Sequence, residues 1–170
     1  MEVNIMSSKS SLQNGIILNE ELIIMNLDAK KKEDVLIKAF NILLNHGYVK
    51  ESFIDAIIKR EEDFPTGIQT SSIGVAIPHT DVQHVNKAGI AIVTLNKPVV
   101  FQEMGTDSDI EVSIIFMLAI KEPELQLAML QNLVDIFQDE SALNRICNAK
   151  DKLEIIDIME FFLGHDINKC

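Results

Sequence analysis

The segment Ile73-Gly74-Val75-Ala76-Ile77-Pro78-His79-Thr80-Asp81 joins a short apolar run of strand type to a proline and then to a histidine. Imidazole is an effective neutral nucleophile near pH 7, because its ordinary pKa is about 6.5. Proline has no backbone donor, so Pro78 predicts that the strand stops there and holds His79 at the rim of a sheet. Another protein can reach a ring so placed. A histidine that accepts a phosphoryl group needs partial exposure, a neighbour that fixes one tautomer, and donors for the phosphoryl oxygens. Thr80 offers a hydroxyl and a backbone N–H. Arg60, one of two arginines in the chain, offers a guanidinium whose fork matches phosphate oxygens. Arg60 is equally well placed to pair with Glu61 or Glu62 on its own helix surface.

His79, Asp81 and His84 also spell H-x-D-x-x-H, two imidazoles and a carboxylate of the kind a metal-dependent hydrolase uses. No fourth ligand stands at a diagnostic spacing and there is no HExxH helix. His84 is alternatively close enough in sequence to orient or shield His79. His46 precedes Gly47 at a helix end, where a cationic ring suits the helix dipole, and His165 reads as tail. The chain has no GxxxxGKS/T loop, no GxGxxG after a strand, no GxSxG and no CxxC, so nucleotide, dinucleotide and serine-hydrolase chemistry lose support. Asp107 and Asp109, in the polar stretch from Gly105, read as a solvated turn.

The elements that must position these residues follow from periodicity. Glu21–Leu27 reads as a first strand. Val35, Leu36, Ala39, Phe40, Leu43 and Leu44 repeat at helical spacing up to Gly47. A second helix begins near Lys50 and carries Phe53, Ile54, Ile57 and Ile58, with Pro65 beyond its end. Ile73–Ile77, Gly89–Leu95, Val99–Phe101 and Glu111–Ile120 are β-rich, with turns at Lys97-Pro98 and from Gly105 to Asp109. Pro123 opens a helix with Leu130, Leu133, Val134 and Phe137 on one stripe. Asp139 and Asp151 are caps for two further helices, and Gly164 is a stop. Helices, a cluster of strands, then helices make an α/β sandwich with one sheet and no regular βαβ alternation.

The 170 residues suffice for one domain with a real core. Residues 1–19 read as a loose arm with room for a short strand after it, 20–165 as the domain, and 166–170 as a tail. With 26 acidic and 15 basic side chains the formal charge is −11, which disfavours nucleic acid or an anionic membrane surface as partner. Cys147 reads as a small core filler and Cys170 as a free thiol, which suits the cytoplasm; no signal peptide is recognisable. The longest apolar runs, Ile90–Leu95 and Val112–Ile120, fall far short of the ~20 residues that span a bilayer.

Gly74-Val75-Ala76-Ile77-Pro78-His79-Thr80 resembles the active-site signature of the type-2 enzyme IIA proteins of the bacterial phosphoenolpyruvate-dependent sugar phosphotransferase system, the family that serves mannitol, fructose and galactitol transporters. The resemblance continues through Ala56–Glu61, Pro65-Thr66-Gly67, Asp109–Val112, Ile114–Ala119 and Leu127–Phe137, and covers nearly all of residues 20–165. It implies a mixed central sheet flanked by helices in a three-layer α/β/α sandwich. It implies that His79 takes a phosphoryl group from the histidine-containing phosphocarrier protein, HPr, and passes it to a cysteine of the cognate enzyme IIB. Arg60 matches the family's arginine in the helix upstream. Where many members carry a second histidine, this chain has Gln126, which donates a hydrogen bond but carries no charge. The continuation Thr80-Asp81-Val82-Gln83-His84-Val85 is similar to galactitol-type members. No cofactor or metal is implied, and the membrane is met only through enzyme IIC. Two competing readings are a regulatory domain of the same fold, controlled by phosphorylation of His79, and the hydrolase built on His79, Asp81 and His84.

Overall fold

Strands that are apolar at nearly every position cannot have a wet face, so Ile90–Leu95 and Val112–Ile120 require cover on both sides. The computed structural model, which describes residues 10–13 and 16–164, shows that cover. Seven described strands form one mixed sheet: β1 (Ser10–Gln13), β2 (Ile16–Asn19), β3 (Ile23–Leu27), β4 (Gly67–Gln69), β5 (Gly74–Ala76), β6 (Gly89–Gln102) and β7 (Asp109–Ala119). Their order is β1-β2-β6-β7-β5-β4, and β3 also pairs with β6. Alternate residues of each central strand enter opposite cores. Ile90, Ile92, Phe116 and Leu118 face helices α3 (Pro123–Gln138), α4 (Glu140–Cys147) and α5 (Lys152–Leu163). Ala91, Val93, Ile115 and Met117 face α1 (Lys32–Asn45) and α2 (Phe53–Asp63). The result is a three-layer α/β/α sandwich with one sheet, as expected from the sequence.

Local chemistry sets the helix ends. The side chains of Asp139 and Asp151 accept from the N–H groups of Ala142 and Glu154, capping α4 and α5. Gly47 follows α1 with φ of 76°, a conformation that favours glycine. His46 caps the same end: its Nδ1 lies 2.8 Å from the Ile42 carbonyl and its Nε2 3.3 Å from Glu21. Burial pushes the Cys147 thiol up to about 11, so this group stays protonated, as a core filler would.

Four expectations change. Part of the supposed loose arm is sheet, because β1 pairs antiparallel with β2; the remainder of that arm, His165 and the tail with Cys170 lie outside the described residues. Lys97-Pro98 is not a turn. β6 runs on through it with a register shift between Thr94 and Val99, an irregularity where a residue without N–H costs no ladder bond. The first strand is shorter than Glu21–Leu27, since Glu20–Leu22 forms a 3-10 turn capped by Asn19. The second helix begins at Phe53, and the three-residue β4 was not foreseen.

Candidate active site

β5 and β7 run parallel, with Ala76 opposite Ile115, so their C-terminal ends point the same way. β6 runs antiparallel to β7 and starts at that end, where Gly89 faces Ala119. The chain leaves β5 through Ile77-Pro78-His79, and the N-terminus of α3 follows β7 a few residues later. The C-terminal edge of an open α/β sheet is where such folds gather functional groups.

Three hydrogen bonds to main-chain carbonyls fix the exit from β5. The Ile77 N–H donates to the Thr66 carbonyl at 3.3 Å, extending the β4–β5 ladder one step past Gly67 and Ala76. The Leu118 N–H donates to the Pro78 carbonyl at 2.9 Å, tying the other side to β7. The third involves the ring itself: His79 Nδ1 lies 2.7 Å from the Ile77 carbonyl oxygen. A carbonyl only accepts, so Nδ1 carries the proton in this contact and the lone pair resides on Nε2. The Ile77–Pro78 peptide is trans. Gly74 permits the close pairing: a Cβ there would stand 2.1 Å from the Glu111 carbonyl oxygen.

His79 is half-buried, and its pKa lies below the ordinary value. Desolvation is the main cause and the positive charge of Arg60 adds to it, against the opposing effect of the Ile77 carbonyl. The ring is therefore neutral at pH 7, the state in which Nε2 is nucleophilic. Arg60, in the last turn of α2, makes no ion pair with Glu61 or Glu62. Its Nη1 donates to the Phe64 carbonyl at 2.7 Å, and its guanidinium sits 4.9 Å from the centre of the Phe64 ring. That ring is 65% exposed. Thr80 is buried, and its carbonyl accepts from Gln126 Nε2 at 3.4 Å, linking the histidine loop to the first turn of α3.

His84 is turned elsewhere. It ends a 3-10 turn at Val82–His84, its Nδ1 lies 2.8 Å from Ser52 Oγ, and its Nε2 faces Gln83 Nε2 at 3.3 Å. The Lys50 N–H and Nζ donate to the carbonyls of His84 and Gln83, so this loop is anchored to the start of α2. The Nδ1 of His79 is held by the Ile77 carbonyl and not by His84. The H-x-D-x-x-H spelling also fails as a metal centre: among the described residues no three His, Cys, Asp or Glu side chains converge to hold an ion.

One buried group was not anticipated. Glu61 is 2% exposed, and both its oxygens are taken by Thr66, whose N–H donates to Oε1 at 2.9 Å and whose hydroxyl donates to Oε2 at 2.7 Å. Burial pushes this carboxyl's pKa up, against the bonds from Thr66 and the charges of Lys32 and Arg60. Nothing in the spacing distinguished Glu61 from exposed Glu62, because the discriminating feature is the returning turn at 64–66.

The fold and this corner define an α/β/α sandwich that presents a neutral imidazole, one nitrogen engaged, at the C-terminal edge of its sheet. Residues 16–161 match the family described as the phosphoenolpyruvate-dependent sugar phosphotransferase system, EIIA 2, and the chain belongs to that family. It is 33% identical over 100 residues to the galactitol-specific EIIA component of Escherichia coli strain K12, covering 59% of this chain and 67% of that one. It is 29% identical over 145 residues to the mannitol-specific enzyme IIA component of Bacillus subtilis, covering 84% and 95%. Among solved structures, the Escherichia coli complex of enzyme IIA(Mtl) with phosphorylated enzyme IIB(Mtl) contains the same fold, with a TM-score of 0.71, 24% identity, and coverage of 85% of this chain and 97% of that one.

Proposed function

We propose that the chain is a sugar phosphotransferase component in which His79 accepts a phosphoryl group from HPr and passes it to a cysteine of enzyme IIB, in support of sugar or sugar-alcohol uptake. The observation that carries this reading is the 2.7 Å contact of His79 Nδ1 with the Ile77 carbonyl, which leaves Nε2 with its lone pair. Nε2 attacks the phosphorus of the donor phosphohistidine in line. A new N–P bond forms, the donor's N–P bond breaks, and its electron pair returns to the donor ring. In the next step the sulfur of the enzyme IIB cysteine attacks the same phosphorus, and the pair returns to Nε2. Both bonds exchanged in the first step are N–P bonds, so that step is nearly balanced and reversible. Positioning and charge stabilisation then carry the catalysis. Arg60 supplies the fixed cation, and Thr80 and local backbone N–H groups supply further donors to the phosphoryl oxygens. Gln126 holds the Thr80 carbonyl and contributes no charge. His84 serves the loop, not the transfer.

The partner assignment draws on the family and on the neighbouring complex of enzyme IIA with enzyme IIB. No described helix is long and apolar enough to cross a membrane, which accords with a cytoplasmic carrier that meets the membrane only through enzyme IIC. The galactitol-specific relative and the Thr80–Val85 continuation favour a galactitol-type transporter.

The test is labelling with phosphoenolpyruvate, enzyme I and HPr, followed by addition of a galactitol-type enzyme IIB. One acid-labile phosphate on wild type, none on His79→Gln, and passage to enzyme IIB are expected. Uptake without passage to any enzyme IIB tried would mark a regulatory domain instead. No label on the folded wild type would overturn the phosphotransferase reading.

A further inference from the structure

Glu61 is a buried carboxylate beside the candidate site that the transfer scheme does not use. Burying an ionisable group is costly unless its hydrogen-bonding capacity is met, so a 2% exposed glutamate needs a reason. Its two oxygens grip one residue, Thr66, at two points. Thr66 is itself 1% exposed. Its carbonyl receives the Ile77 N–H, and the Ile77 carbonyl receives His79 Nδ1–H. A continuous chain of contacts thus runs from the α2 carboxylate, through Thr66 and Ile77, to the imidazole. The same turn contains the Phe64 carbonyl, which holds the Arg60 guanidinium. The turn that Glu61 clamps therefore carries contacts to both the ring and the Arg60 guanidinium.

We propose that Glu61 is a positioning residue for His79: by clamping Thr66 it holds the Ile77 carbonyl where it keeps the imidazole in the Nδ1–H tautomer, with the lone pair on Nε2. The clamp needs two correctly spaced partners for Thr66 and not a negative charge. Glutamine meets that need, because its Oε1 accepts from the Thr66 N–H while its Nε2 donates to the Thr66 hydroxyl. Alanine meets neither. Thr66→Val keeps the N–H contact and deletes only the hydroxyl one.

The kinetic part of this inference rests on the phosphotransferase reading, and the tautomer part does not. The primary experiment is therefore ¹⁵N NMR of the His79 ring in wild type, Glu61→Ala, Glu61→Gln and Thr66→Val, assigned against His79→Gln, with no phosphoryl donor present. Wild type and Glu61→Gln are expected to hold the Nδ1–H tautomer. Glu61→Ala is expected to show a mixture, and Thr66→Val a smaller admixture. Phosphate uptake from HPr should then slow in Glu61→Ala by roughly tenfold to a hundredfold in maximal rate, with an unchanged KM for the carrier. Glu61→Gln should restore it. A folded Glu61→Ala with the wild-type tautomer overturns the proposal. So does a Glu61→Gln as impaired as the alanine variant, since charge would then matter more than the clamp. If Glu61→Ala does not fold, an unaltered tautomer in Thr66→Val overturns it. If wild type takes no phosphate at all, the phosphotransferase reading fails while the NMR result still decides the clamp.

Discussion

His79 and His84 stand on one loop and have the same side chain, yet their surroundings assign them opposite work. His79 spends one nitrogen on a main-chain carbonyl that the sheet holds rigid, and keeps the other. His84 directs one nitrogen at the Ser52 hydroxyl and the other at the Gln83 amide, and its own carbonyl anchors Lys50. Ser52 precedes α2, but its hydroxyl is spent on this ring and not on capping the helix. A histidine becomes a candidate nucleophile through what it leaves unpaired and how firmly the rest is held, not through its place in a motif.

The sharpest way to break the comparison is His79→Gln, which should abolish acid-labile labelling while circular dichroism shows an intact fold. Residual label on another histidine would reverse the roles of the pair. Next in size is Arg60→Ala. Removing a fixed cation from a transferring group costs about a hundredfold in rate. The same variant should raise the His79 pKa toward the ordinary value, since Arg60's charge lowers it in the native protein. An NMR titration of His79 in Arg60→Ala checks the second effect without any phosphoryl donor, and an unmoved pKa would place the guanidinium too far away to act.

Gly74→Ala tests the rigidity of the strand behind His79. The added Cβ would lie 2.1 Å from a β7 backbone oxygen, so β5 must move away from β7. A loss of about 2–3 kcal/mol is expected in denaturant melts, of the order of other overpacking substitutions. The His84 contact with Ser52 should survive, because it hangs from α2 and not from β5.

Acid should act on His79 as well. The unfolded chain protonates its histidines near pH 6.5, whereas His79 in the fold does so only at lower pH. Between those values the unfolded state binds the extra proton, so this contribution to stability is complete above about pH 6.5 and is lost as pH falls through the folded value. Stability measured against pH should therefore drop less steeply on the acid side in His79→Gln than in wild type. Phosphate uptake should fall over the same window as Nε2 takes a proton.

Much of this corner was legible because its signal is local. A β-branched run, a proline and a histidine in succession predict a strand end and a presented ring, and helical spacing located the five described α-helices within a few residues. The same reliance on local signals misread Lys97-Pro98, where the sheet carries a proline through an irregular stretch of β6. β4 escaped notice because three residues show no period; pairing with β5 makes it a strand. Glu61 and Thr66 are five apart and unremarkable as letters, and only the folded turn converts them into a buried clamp. The contacts of His84 were illegible for a related reason: proximity to His79 along the chain says nothing of Ser52, which reaches the ring from 32 residues away.

The smallest expected effect belongs to His84→Ala. The ring is half-exposed and its side-chain contacts are to Ser52 and Gln83, so its loss leaves groups that water can satisfy. The backbone contact from Lys50 to the His84 carbonyl does not depend on the side chain. Freed of the ring, Ser52 Oγ can turn to the N-terminus of α2 and recover part of the energy as a cap. A stability change within about 1 kcal/mol follows. The His79 pKa should not move, since its causes are burial, the Ile77 carbonyl and Arg60. If His84→Ala shifts that pKa or slows labelling, the two rings act as a unit, and the division of labour between them is wrong.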